Sequence, residues 1–98
     1  MTIYEKMHAL VTYYATTVEP FITEMKAKAD TMTAQEKSDV VDDIDCYMRP
    51  LENGQDDLYS LGSTLAEYAV IREFYDRVLY DILDKVDSIK TYYFINND

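Results

Sequence analysis

Tryptophan is absent from this 98-residue chain; cysteine and histidine occur once each, glycine and proline twice each. The lone Cys46 excludes an internal disulfide, and with His8 as the single imidazole there is no Cys/His spacing for a zinc site. The fold must therefore stand on packing, as in a reducing compartment. So few glycines and prolines leave too few turns for an all-β sandwich or barrel. No stretch approaches the ~18 apolar residues of a membrane span. The opening Met1-Thr2-Ile3-Tyr4-Glu5-Lys6 has no basic stretch leading into an apolar one. The chain reads as soluble and cytoplasmic. Bases are scarce too: nine Lys and Arg against nineteen Asp and Glu give a net charge of −10, which opposes direct binding to nucleic acid or an anionic membrane.

What remains is apolar enough to fold. Hydrophobic residues make up 48% and aromatics 13%, sufficient for one small domain with a modest core and too much for a disordered acidic tail. A 3-4 alternation picks out Leu58, Leu61, Leu65, Tyr68, Arg72, Tyr75, Leu79, Ile82, Val86, Ile89 and Tyr93, with Arg72 alone polar. This seam predicts a long helix over about 57–93, roughly 54 Å if continuous. Gly62 is its weak point, where a restart near Ser63 or Thr64 would set off a short helix. Arg72 is expected to snorkel along the apolar surface.

Ile3, Met7, Leu10, Tyr14, Val18, Phe21 or Ile22, and Met25 mark a first helix over about 2–29. Pro20 removes the amide that would bond the Thr16 carbonyl, which predicts a kink or a restart with Pro20 in the first turn. Thr33-Ala34-Gln35-Glu36 fits a capping box, and Val40, Val41, Ile44, Tyr47 and Met48 follow on one arc. Arg49-Pro50 predicts the stop of this second helix, over about 34–49. Asn53-Gly54 reads as a positive-φ turn within a connection over 51–55. The fold class expected is all-α: an antiparallel bundle of three main helices. A third helix longer than its partners leaves an apolar end, and a homodimer would cover it.

The acidity is not uniform. Residues 1–29 are neutral, whereas residues 30–57 carry nine acids against two bases, a net of −7. On a helical wheel Glu36, Asp39, Asp42, Asp43 and Asp45 spread over the arc opposite the apolar one. Like charges three or four residues apart repel by a few tenths of a kcal/mol each, and no interleaved lysine relieves them. A solvated, solubilising face explains part of this. A contact surface for a basic partner explains it better, because the protein uses mixed charge elsewhere. Glu52, Asp56 and Asp57 extend that surface. Asp76, Tyr80, Asp81 and Asp84 form a second candidate contact, since exposed Tyr beside Asp suits a protein interface. Tyr4, Tyr13, Tyr59 and Tyr92 also fall off the apolar stripes, and Tyr92-Tyr93-Phe94-Ile95 predicts a tail that packs back or joins copies of the chain.

In charge, size and helicity the chain resembles small acidic phage proteins that block restriction, CRISPR or repair enzymes. That likeness implies a non-enzymatic nucleic-acid mimic in the host cytoplasm, bound to the basic DNA- or RNA-binding surface of a target protein. The alternative is a structural or regulatory adaptor, such as an antitoxin or assembly chaperone, docking through the apolar seam. Small-ligand binding between helices is a third class without a residue pattern of its own. Catalysis has no candidate nucleophile or acid/base pair: His8 has no sequence partner, and Cys46 falls on the acidic arc, where neighbouring negative charge blunts a thiol's reactivity. No cofactor or metal is expected. Asp42-Asp43-Ile44-Asp45 lacks the ligand alternation, central Gly and closing Glu of a calcium loop. Tyr80-Asp81-Ile82-Leu83-Asp84 matches the tail signal of two-helix WxG effectors, but the missing Trp and Pro20 in the first helix exclude that family.

Overall fold

A computed structural model describes residues 1–95. Among these residues the chain is all helical, with three main helices, one short helix and no strand. Helix α1 covers residues 3–28, as Ile3–Tyr13, a π turn Tyr14–Val18 and Glu19–Lys28. A 3₁₀ turn, Ala29–Thr31, leads to α2, Ala34–Glu52. A single residue, Asn53, then separates α2 from the short α3, Gly54–Leu61. Helix α4 covers residues 65–95, as Leu65–Phe74, a π turn Tyr75–Leu79, Tyr80–Lys90 and a final π turn Thr91–Ile95.

The three long helices start the same way. Thr2, Thr33 and Thr64 each cap a helix and accept from the backbone N–H three residues on, at Glu5, Glu36 and Glu67. The box anticipated at Thr33 closes in full, with Thr33 N–H donating to Glu36 Oε1 at 3.0 Å. Its counterpart at Thr2 closes at 2.9 Å. Glu67 reaches one residue further, accepting from both the backbone N–H and the hydroxyl of Ser63. Each glutamate carboxyl is held below its ordinary pKa by these bonds, led by the backbone one.

The two prolines behave differently. Ahead of Pro20 the α-helix gives way to a π turn, where the Glu19 N–H donates to the Tyr14 carbonyl five residues back. Regular α-helix resumes at Glu19 with Pro20 in its first turn, as the restart expectation has it but with no gap in the helix. The extra residue absorbs the missing Pro20 donor. Pro50 does not end α2, which runs on to Glu52 instead of stopping at Arg49. Leu51 and Met48 are buried, and burial of Leu51, worth about 1.5–3 kcal/mol, offsets much of the ~3 kcal/mol cost of an internal proline. Cys46 and Pro50 lie on the exposed side, where water can take the carbonyl that Pro50 leaves unpaired.

The expected Asn53-Gly54 turn is also corrected. Asn53 has φ −85° and ψ −6°, and no non-Gly or Gly residue among those described has positive φ. Gly54 instead gives room to the core: a Cβ there would lie 2.9 Å from Leu10 Cδ1, so the Leu10 side chain would have to shift. The break at Gly62 is real. Its extended backbone, φ −72° and ψ 148°, separates α3 from α4, and the Tyr68 hydroxyl donates to its carbonyl at 3.1 Å. Helix α4 is therefore about 46 Å long, against a long molecular axis of 50 Å.

Fifteen buried side chains form one core, drawn from every helix. Leu58, Leu79 and Val86 of the predicted seam are in it, but Leu65 is 86% exposed, and Leu61 and Arg72 are exposed as well. The π turn Tyr75–Leu79 adds one residue to the turn between Arg72 and Leu79, so Ile71 takes the inward position in place of Arg72. Against this core α1 packs on α2 through its π turn, α3 packs on the start of α1, and α2 runs antiparallel to the second half of α4. Tyr13, expected on the surface, is half-buried and donates its hydroxyl to the Tyr47 carbonyl at 2.6 Å. The C-terminal tail packs back: Phe94 is buried, and Lys26 of α1 sits 5.3 Å over the Tyr93 ring.

Candidate functional site

The core fixes which way α2 turns. With Val40, Ile44, Met48 and Leu51 inward, geometry at 100° per residue sends Asp39, Asp42 and Cys46 straight outward. Asp43 and Glu36 fall toward α1, Asp45 and Glu52 toward α4. All twelve candidate contact residues, Glu36, Asp39, Asp42, Asp43, Asp45, Glu52, Asp56, Asp57, Asp76, Tyr80, Asp81 and Asp84, are exposed.

Their roles divide. Glu36 is occupied by the cap, and Asp56 and Asp57 stand in the first turn of α3, where the helix N-terminus favours acids. Asp57 pairs with Lys6 at 3.6 Å and Asp45 with Lys90 at 2.8 Å, so neither is the free carboxylate that the charge pattern suggested. The opposing cations come from α1 and α4, far away in sequence. Asp39 accepts from the Gln35 amide at 3.0 Å. Asp42 and Asp43 have no hydrogen bond and no cation within 4 Å among the described residues. Asp76, Tyr80, Asp81 and Asp84 lie on the outer side of α4, and no hydrogen bond or ion pair joins them to the α2 row. Tyr80 is 54% exposed and meets Tyr75 edge-on at 6.4 Å.

Between α2 and α4 lies a groove of about 260 Å³. Ile44, Asp45, Met48 and Glu52 line it from α2; Leu83, Val86, Asp87 and Lys90 line it from α4. On each helix these positions follow three- and four-residue steps, so apolar side chains make the floor and charged ones the rim. The Lys90 ammonium lies 2.8 Å from Asp45 and 3.8 Å from Asp87, with its side chain only 20% exposed. The hydrogen bond to Asp45 leads the causes that raise its pKa, partial desolvation opposing them. Two carboxylates thus share one ammonium, and Glu52 adds its negative charge from farther off. Asp87 and Lys90 escaped the sequence reading because only the register of two helices, 45 residues apart at Asp45 and Lys90, brings them together.

His8 is exposed, its Nε2 3.5 Å from the Thr12 hydroxyl, and Cys46 is exposed on the acidic arc. Among the described residues no three His, Cys, Asp or Glu side chains converge to hold a metal ion, and no helix is long and apolar enough to cross a membrane. Compared with protein-family models, with curated proteins and with solved structures, the chain matches none. The class reached is an all-α bundle with an uncompensated acidic face.

Proposed function

We propose that the protein is a non-enzymatic inhibitor that occupies the basic DNA- or RNA-binding surface of a target protein, as phage-type anti-restriction and anti-CRISPR proteins do. The observation that carries this reading is the unneutralised row Asp39, Asp42 and Asp43 on the outward arc of α2. Carboxylates fixed on a helix at ~5–6 Å intervals are comparable in scale to backbone phosphates and can release the counterions of a basic groove as nucleic acid does. Nothing in the fold requires them there: the helix is capped at Glu36 and packed on its opposite side.

The test is affinity capture from a bacterial lysate, with the captured protein then assayed for nucleic-acid binding. Competition with duplex DNA or RNA, and loss of capture on raising salt, are the expected results. Reversal of Asp39, Asp42 and Asp43 to Lys should abolish capture while leaving the helical spectrum intact. Capture indifferent to salt and to this reversal would remove the electrostatic reading. The adaptor reading draws on a different observation, the exposure of Tyr92 and Ile95 beside buried Phe94. Leu58, Leu79 and Val86 of the seam are spent on the core, which leaves an adaptor this tail and the exposed Leu61 and Leu65. Loss of capture on Tyr92→Ala and Ile95→Ala, with charge reversal tolerated, would put it in first place.

A further inference from the structure

We infer that the groove between α2 and α4 is an anchor site for an arginine side chain projecting from the basic partner. This rests on the proposed inhibitor role and names where that partner is gripped. At about 260 Å³ the groove falls below the ~300–1,000 Å³ of small-molecule sites and is of side-chain scale. Its floor of Ile44, Met48, Leu83 and Val86 is apolar, while its rim carries Asp45, Glu52 and Asp87.

That combination suits a side chain with a long aliphatic stem and a cationic head. Lys90 already demonstrates the fit from within the protein, with a mostly covered stem and an ammonium on Asp45. One ammonium leaves the rim short of cations. Glu52 has none within 4 Å, and Asp87 has only Lys90 at 3.8 Å. Glu52 and Asp87 belong to opposite walls, and a planar guanidinium can offer donors to both, which the compact lysine head does less well. Charge complementarity therefore selects arginine.

The experiment uses the full chain with labelled Ile, Leu, Val and Met methyl groups. The probe is the blocked pentapeptide acetyl-Gly-Arg-Gly-Arg-Gly-amide, followed by NMR beside its lysine counterpart. The arginine peptide should shift the methyl signals of Met48, Leu83 and Val86 and bind more tightly than the lysine peptide. Glu52→Gln with Asp87→Asn should weaken it about five- to tenfold. Asp42→Asn with Asp43→Asn removes the same charge and should weaken it less than about twofold.

Equal losses in the two double variants, shifts confined to the outer arc of α2, or parity of the lysine peptide would each overturn the anchor. So would magnesium or calcium ions that shift the same methyl signals more strongly. The two readings fail separately. An intact groove response with capture indifferent to charge reversal sinks the inhibitor role alone, whereas equal losses with charge-dependent capture sink the anchor alone.

Discussion

Helices α1 and α2 bury similar stripes and show opposite outer faces. Inside, Ile3, Leu10, Tyr14, Val18 and Ile22 of α1 face Val40, Ile44, Met48 and Leu51 of α2 within one core. Outside, residues 3–28 carry three acids and three bases, with Glu24 and Lys28 paired at 3.1 Å. Helix α2 carries six acids against Lys37 and Arg49. The same fold thus tolerates a neutral helix and an anionic one. The acidity of α2 is not a requirement of bundle formation, which is why it bears on function.

The largest expected effect tests the inner half of that comparison. Ile22→Ala in α1 and Ile44→Ala in α2 should each cost about 2–5 kcal/mol in urea unfolding, because both side chains are nearly inaccessible. Similar losses would show that the helices contribute alike to stability. A loss at Ile44 alone would make α2 the organising element and break the symmetry.

The outer half predicts a smaller effect of opposite sign. Asp39→Asn, Asp42→Asn and Asp43→Asn together relieve the like-charge pairs along α2, and each pair relieved should stabilise by about 0.2–0.5 kcal/mol at low salt. The control, Glu19→Gln in α1, should change stability little. Urea midpoints at low and high salt measure both, since screening shrinks the gain. A loss of stability in the triple variant would mean that the row supports the fold, and the case for a functional surface would weaken.

These expectations also show what the chain reveals before it folds. The all-α class, the Thr33 box and the core positions Val40, Ile44 and Met48 follow from three- and four-residue spacing, which is local. The stop at Pro50 does not, because the burial of Leu51 outweighs a proline penalty. The inward place of Ile71 was hidden for a different reason: the extra residue of the π turn Tyr75–Leu79 is invisible to a pattern that assumes regular α-helix throughout. On the surface, the exposure of Glu36, Asp39, Asp42, Asp43 and Asp45 was legible from the wheel. The pairing of Asp45 with Lys90 and of Asp57 with Lys6 was not, since it depends on tertiary register. Nor was the groove, whose walls come from helices that no local pattern connects.

The smallest expected effect concerns the one feature that α1, α2 and α4 share. Glu5, Glu36 and Glu67 each close a helix start, and each has its carboxyl pKa lowered by bonds to backbone N–H groups of Thr2, Thr33 and Ser63 respectively. A pKa depressed in the folded state means that the unfolded chain binds the proton first. The contribution to stability is then complete above the unfolded carboxylate range, and it drains away as pH falls through the lower folded value. Glutamine can take the place of glutamate in such a box without titrating. Glu5→Gln, Glu36→Gln and Glu67→Gln combined should therefore leave the melting temperature at pH 7 little changed and flatten its decline on acidification. Melting curves of the cap triple and the parent across the acid range measure the difference. If the cap triple follows the parent at every pH, the caps do not contribute to the acid dependence. Other interactions would then have to account for all of it.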